Sequence, residues 1–108
     1  MPRHKNLKQI DRLEAHIKIQ EEKIKNGDNP EKAKATIEAI ERAIRMNRLE
    51  YEIWALKKDL AMYRKVVKYP PLTMNSTELN KIRNIIKTLE DELNARLEEL
   101  KDMDWRWL

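Results

Sequence analysis

The sequence predicts an all-α protein of three amphipathic helices, at about residues 5–26, 31–68 and 76–103, in antiparallel coiled-coil-like packing around a long central helix. Three observations lead there. The 108 residues are 41% hydrophobic and 39% charged, a balance too apolar for general disorder and typical of long helices. The single glycine and three of the four prolines fall at two places, so the chain is punctuated only twice in its interior. Between those breaks apolar residues recur at alternating three- and four-residue steps.

The first helix carries Ile10, Leu13, Ile17, Gln20 and Ile24 along one stripe, with Gln20 a polar interruption. It ends at Asn26-Gly27-Asp28-Asn29-Pro30. Gly27 suits the left-handed residue after a helix, Asp28 or Asn29 can cap the next one, and Pro30 fits its first turn. So short a link makes the first two helices antiparallel neighbours.

The second helix would be about 57 Å long at 1.5 Å per residue. It carries two apolar stripes. One is Ala33, Ile37, Ile40, Ile44, Tyr51 and Ala55; the other is Leu49, Ile53, Leu56, Leu60, Tyr63 and Val67. At about 100° per residue their centres lie roughly 145° apart, and they change over near Met46–Asn47. The first stripe is densest beside helix 1 and the second runs beside helix 3. Met62 and Val66 continue the first stripe beyond the reach of helix 1.

The third helix follows Tyr69-Pro70-Pro71-Leu72-Thr73, where Pro71 disfavours helical geometry at Pro70. Asn75 is its expected cap, with Glu78 three positions on as a capping box and Met74 and Leu79 as a hydrophobic staple. Its stripe is Leu79, Ile82, Ile86, Leu89, Leu93, Arg96, Leu100 and Met103. Residues 1–104 thus read as one helical domain, followed by a tail, Asp104-Trp105-Arg106-Trp107-Leu108.

Composition also bounds the function classes. There is no cysteine, which removes disulfides, thiolate chemistry and zinc-finger spacing. The first residues lack the apolar core of a signal peptide, and no stretch approaches the roughly 18 apolar residues of a membrane span. A soluble, cytoplasmic protein is expected. One glycine precludes a glycine-rich phosphate loop. His4 and His16 are 12 residues apart, about 120° around a helix, and cannot share a metal. Glu38 with Glu41, and Glu99 with Asp102, are carboxylate pairs on helices 2 and 3 at a spacing suited to a divalent ion. They flank the stripes, and acidic residues on helices are usually solvated, so the expectation is no enzyme, no metal, no cofactor and no small-molecule substrate.

What remains is surface. Lys57, Lys58, Arg64, Lys65 and Lys68 fall in an arc of about 120° on helix 2, with Trp54 and Ala61 in its middle. Such an arc can stack a base and hold phosphates, or grip an acidic protein or membrane surface. It can also be Lys and Arg stems covering a partly buried Trp while their charges stay in water. Residues 1–18 carry five cations against Asp11 and Glu14, and residues 90–104 carry seven acidic residues against Arg96 and Lys101, so the two segments can pair within or between chains. Trp105 and Trp107 are either docking anchors or a cap on the bundle end.

Met62, Val66, Leu93 and Leu100 are the expected oligomerisation residues, and a homodimer is expected from the apolar surface left over. Two functions compete. The first is a self-associating coiled-coil adaptor or assembly factor that binds a macromolecular partner, expected to be a protein, through Trp54, Lys57, Lys58, Arg64, Lys65, Lys68, Trp105 and Trp107. The alternative is a small nucleic-acid-associated regulator or packaging protein using the same basic arc. It lacks a helix-turn-helix signature. Helical hairpins of this composition are common among phage and bacterial accessory proteins.

Overall fold

The computed structural model describes residues 4–107, with side chains described for 4–103. Three helices account for nearly all of it, and no strand occurs among the described residues. They are α1 (Lys5–Lys25), α2 (Pro30–Lys68) and α3 (Ser76–Trp107). The first two lie within a residue of the sequence-based bounds. The third runs four residues further, because nothing after Met103 is a helix breaker.

The two breaks form as their residues dictate. Gly27 adopts φ +74, and the Gly27 and Asp28 N–H groups donate to the carbonyls of Ile24 at 3.1 Å and Lys23 at 2.8 Å. That pair of bonds is a Schellman closure, which needs a left-handed residue at Gly27. Asn29 also takes a positive φ of 46 immediately before Pro30. At the second break the Met74 N–H donates to the Pro71 carbonyl at 3.0 Å, and the Asn75 Oδ1 accepts from the Glu78 N–H at 2.8 Å. Met74 and Leu79 are both half-buried, as a staple requires.

The chain divides into two compact units, Met1–Tyr51 and Glu52–Leu108, with the boundary inside α2. It falls a turn beyond the residues where the two stripes exchange. In the N-terminal unit Ile10, Ile40 and Ile44 form a buried cluster, with Leu7, Leu13 and Ile17 packed against it. Asn6 extends the α1 stripe by one turn and is itself buried. Its Nδ2 donates to Asn47 Oδ1 at 3.0 Å and to Glu50 Oε2 at 2.9 Å. One more turn along, the His4 ring meets the Tyr51 ring edge-on at 5.2 Å. At the other end of α1, Gln20 is buried and hydrogen-bonded to His16 at 3.1 Å. Its place in an apolar stripe is thus tolerated because its amide is partnered.

The C-terminal unit is built differently. On α2, Ile53, Leu56 and Leu60 are buried, Leu60 to 1% exposure. On α3 every described stripe residue from Leu79 to Met103 is only half-buried. Two ion pairs fix how the helices meet. Arg96 Nε donates to Glu52 Oε2 at 2.8 Å, and Arg64 Nη2 lies 3.7 Å from Glu90 Oε1. Position increases along α2 as it decreases along α3.

Candidate functional site

Met62, Val66, Leu93 and Leu100 belong to the C-terminal unit, as do the residues of the basic arc. The arc lies on α2 because no residue between Pro30 and Lys68 interrupts the helix, so the 100° step carries Trp54, Lys57, Lys58, Arg64, Lys65 and Lys68 onto one side. All six are exposed. Trp54 keeps 45% of its surface in solvent, a large fraction for an indole.

Lys58 Nζ stands 5.1 Å from the centroid of the Trp54 ring, a cation–π contact worth about 0.5–1 kcal/mol at an exposed site. Lys68 makes the same kind of contact with Tyr69 at 5.5 Å. Arg64 is engaged with Glu90. Lys57 and Lys65 make no ion pair among the described residues. The arc is therefore graded. Two cations lie over aromatic rings, one faces a carboxylate, and two project unpaired.

Beside the arc, Met62 is 54% exposed, and Val66, one turn on, is half-buried. Leu93 and Leu100 on α3 are half-buried. Two apolar residues that the stripe reading passed over, Ile85 and Leu97, are 41% and 39% exposed. At about 100° per residue they flank the α3 stripe on its two opposite edges. Their signal was present in the sequence as isoleucine and leucine just outside the regular three-four steps. Trp105 and Trp107 continue the helical backbone of α3, and their side chains lie outside the described residues.

Glu38 and Glu41 line an open surface recess together with Arg42 and Arg45. Two guanidiniums beside two carboxylates oppose cation binding there. No three His, Asp or Glu groups converge on a metal-sized site among the described residues. A second recess, of about 230 Å³, is bordered by Gln20, Lys23, Asp28, Asn29, Lys32, Ala33 and Thr36. The Thr36 hydroxyl is already donated to the Lys32 carbonyl, and Gln20 to His16 or from it.

Asn6 with Asn47 and Glu50 is the polar feature that stripe reading missed. Asn6 lies four residues before Ile10, and Asn47 three after Ile44, so each occupies the next position of an apolar row. Polar residues that prolong a stripe are the signal for such a bolt between helices. Among the described residues no helix is long and apolar enough to cross a membrane. Comparison with known proteins finds no matching family model, no matching curated relative and no matching solved structure.

Proposed function

We propose that this chain is a non-enzymatic helical interaction protein, a self-associating coiled-coil adaptor or assembly factor of the cytoplasm. One observation carries the reading. The α2 stripe of the C-terminal unit is buried at Ile53, Leu56 and Leu60, whereas no described residue of the α3 stripe is fully buried and Ile85 and Leu97 at its edges are exposed. A stripe with apolar edges at Ile85 and Leu97 is wider than one neighbouring helix covers. Covering a few such side chains is worth several kcal/mol at about 25 cal/mol per Å². Antiparallel coiled-coil pairing of α2 with its neighbours accounts for the opposite running of the paired residues in both units.

Light scattering on a size-exclusion column over a dilution series tests the proposal. The expected result is a mass that rises toward twice the 13.0 kDa of the chain. A mass fixed at one chain up to high concentration refutes it.

A second reading is favoured by Trp54, an exposed indole among cations of which Lys57 and Lys65 are unpaired. That combination suits a single-stranded nucleic-acid backbone with a base stacked on the ring. Gel shifts with single-stranded DNA and RNA at 50 and 200 mM salt decide it. Binding that falls steeply with salt and is lost in Trp54→Ala with Lys65→Ala supports it; no shift at low salt excludes it.

A further inference from the structure

The charges of the C-terminal unit are sorted by position. Over residues 62–88, six cationic residues face only Glu78, a net of +5. Over residues 52–61 and 89–103, eight acidic residues face Lys57, Lys58, Arg96 and Lys101, a net of −4. The Arg64–Glu90 and Arg96–Glu52 pairs set α2 residues near 64 beside α3 residues near 90, and α2 residues near 52 beside those near 96. The turn end of this helix pair is thus cationic. The opposite end, which holds Glu52 and the last turns of α3, is anionic. Little of this charge is used within the chain. Lys81 and Lys87 at one end, and Asp91, Glu98 and Asp102 at the other, make no ion pair among the described residues.

We infer that the C-terminal unit pairs with a second copy of itself about a two-fold axis, antiparallel, so that the cationic turn end of each copy lies against the anionic end of the other. The inference rests on the self-association proposed above and adds its partner, surface and direction. A two-fold axis crossing α3 near residue 90, where the charge changes sign, makes the surface complementary to itself. The reverse, parallel pairing sets five net positive charges against five and is opposed by like-charge repulsion. The apolar pattern agrees. Ile85 and Leu97 are exposed on opposite edges of the α3 stripe, and a second helix pair laid on either face covers the one on that face in a four-helix arrangement. The size is adequate. Helices spanning residues 52–68 and 76–103 are about 25 and 42 Å long and about 10 Å wide, so one face presents roughly 700 Å² per copy. A standard interface uses about 800 Å² from each partner.

The test exploits the lack of cysteine. Asp91→Cys and Asp102→Cys, both at exposed positions, each carry one spin label on the otherwise unchanged full chain. Label–label distances are then measured in the self-associated protein at low salt. With the axis near residue 90, the 91 labels lie close together, and the 102 labels are farther apart by about 30 Å along the helix direction. Lys81→Glu with Lys87→Glu is expected to weaken association about tenfold, as is raising salt from 50 to 500 mM. Similar distances at 91 and 102 overturn the antiparallel arrangement while leaving self-association standing. Association indifferent to both salt and charge reversal also overturns it. A lone chain with no intermolecular distance removes both the arrangement and the proposal beneath it.

Discussion

Leu60→Ala probes the packing on which everything in the C-terminal unit depends. Leu60 is the only described residue whose side chain is essentially fully enclosed, at 1% exposure. Truncation removes three carbons, about 2.4 kcal/mol of transfer free energy at about 0.8 kcal/mol each. A cavity adds to that, but the half-buried α3 stripe opposite can settle inward, so the total expected cost is about 3 kcal/mol. The resulting shift in melting temperature depends on what unfolds together. With about 2.1 cal/mol/K of unfolding entropy per residue, the whole chain would lose about 13 °C, and residues 52–108 melting alone about 25 °C. Two probes separate the cases. All three tryptophans, Trp54, Trp105 and Trp107, lie in the C-terminal unit, so their fluorescence follows that unit, while circular dichroism at 222 nm follows every helix. Coincident curves indicate one transition. Met62→Ala, at an exposed position, is the matched control and should cost under about 0.5 kcal/mol in dilute protein. A cost below about 1 kcal/mol for Leu60→Ala would refute the assigned packing.

Three further outcomes follow from single contacts. Asn75→Ala removes the acceptor for the Glu78 N–H and should cost about 1 kcal/mol, read as a lower urea midpoint. Gly27→Ala meets nothing within 4 Å, so its cost is the left-handed φ alone, about 1 kcal/mol by thermal melting. Asn6→Ala leaves Asn47 and Glu50 without a shared donor and should cost about 1–3 kcal/mol. An Asn6/Glu50 double-mutant cycle should then give a coupling energy above about 0.5 kcal/mol, and additive effects would show that the contact contributes nothing.

The fold was largely legible because its signals are local. Gly27 before Asp28, Pro30 at the first turn of α2 and Asn75 three before Glu78 act through their own backbone angles and hydrogen bonds, and each forms as its residue type requires. The exchange of stripes along α2 was readable too, and the division into units falls one turn beyond it at Tyr51 and Glu52. What stayed hidden depends on pairs distant in sequence. Asn6 is an ordinary polar residue until Asn47 and Glu50 are brought beside it, 41 and 44 positions away. Arg96 reads as a flaw in the α3 stripe until Glu52 supplies its partner. The positive φ of Asn29 left no mark beyond a residue type that tolerates it. The basic arc on α2 was legible as an arrangement of residues, but sequence could not tell which cations are engaged. That distinction arises from Trp54, Tyr69 and Glu90 at particular distances.

Self-association makes thermal stability depend on protein concentration, since a partner that binds only the folded chain shifts unfolding by mass action. The most direct measurement is therefore the fluorescence-detected melting midpoint of the wild-type chain over a hundredfold range of concentration. The account predicts a midpoint that climbs steadily with concentration and a climb that shrinks at high salt. A midpoint unchanged across the whole range would contradict it.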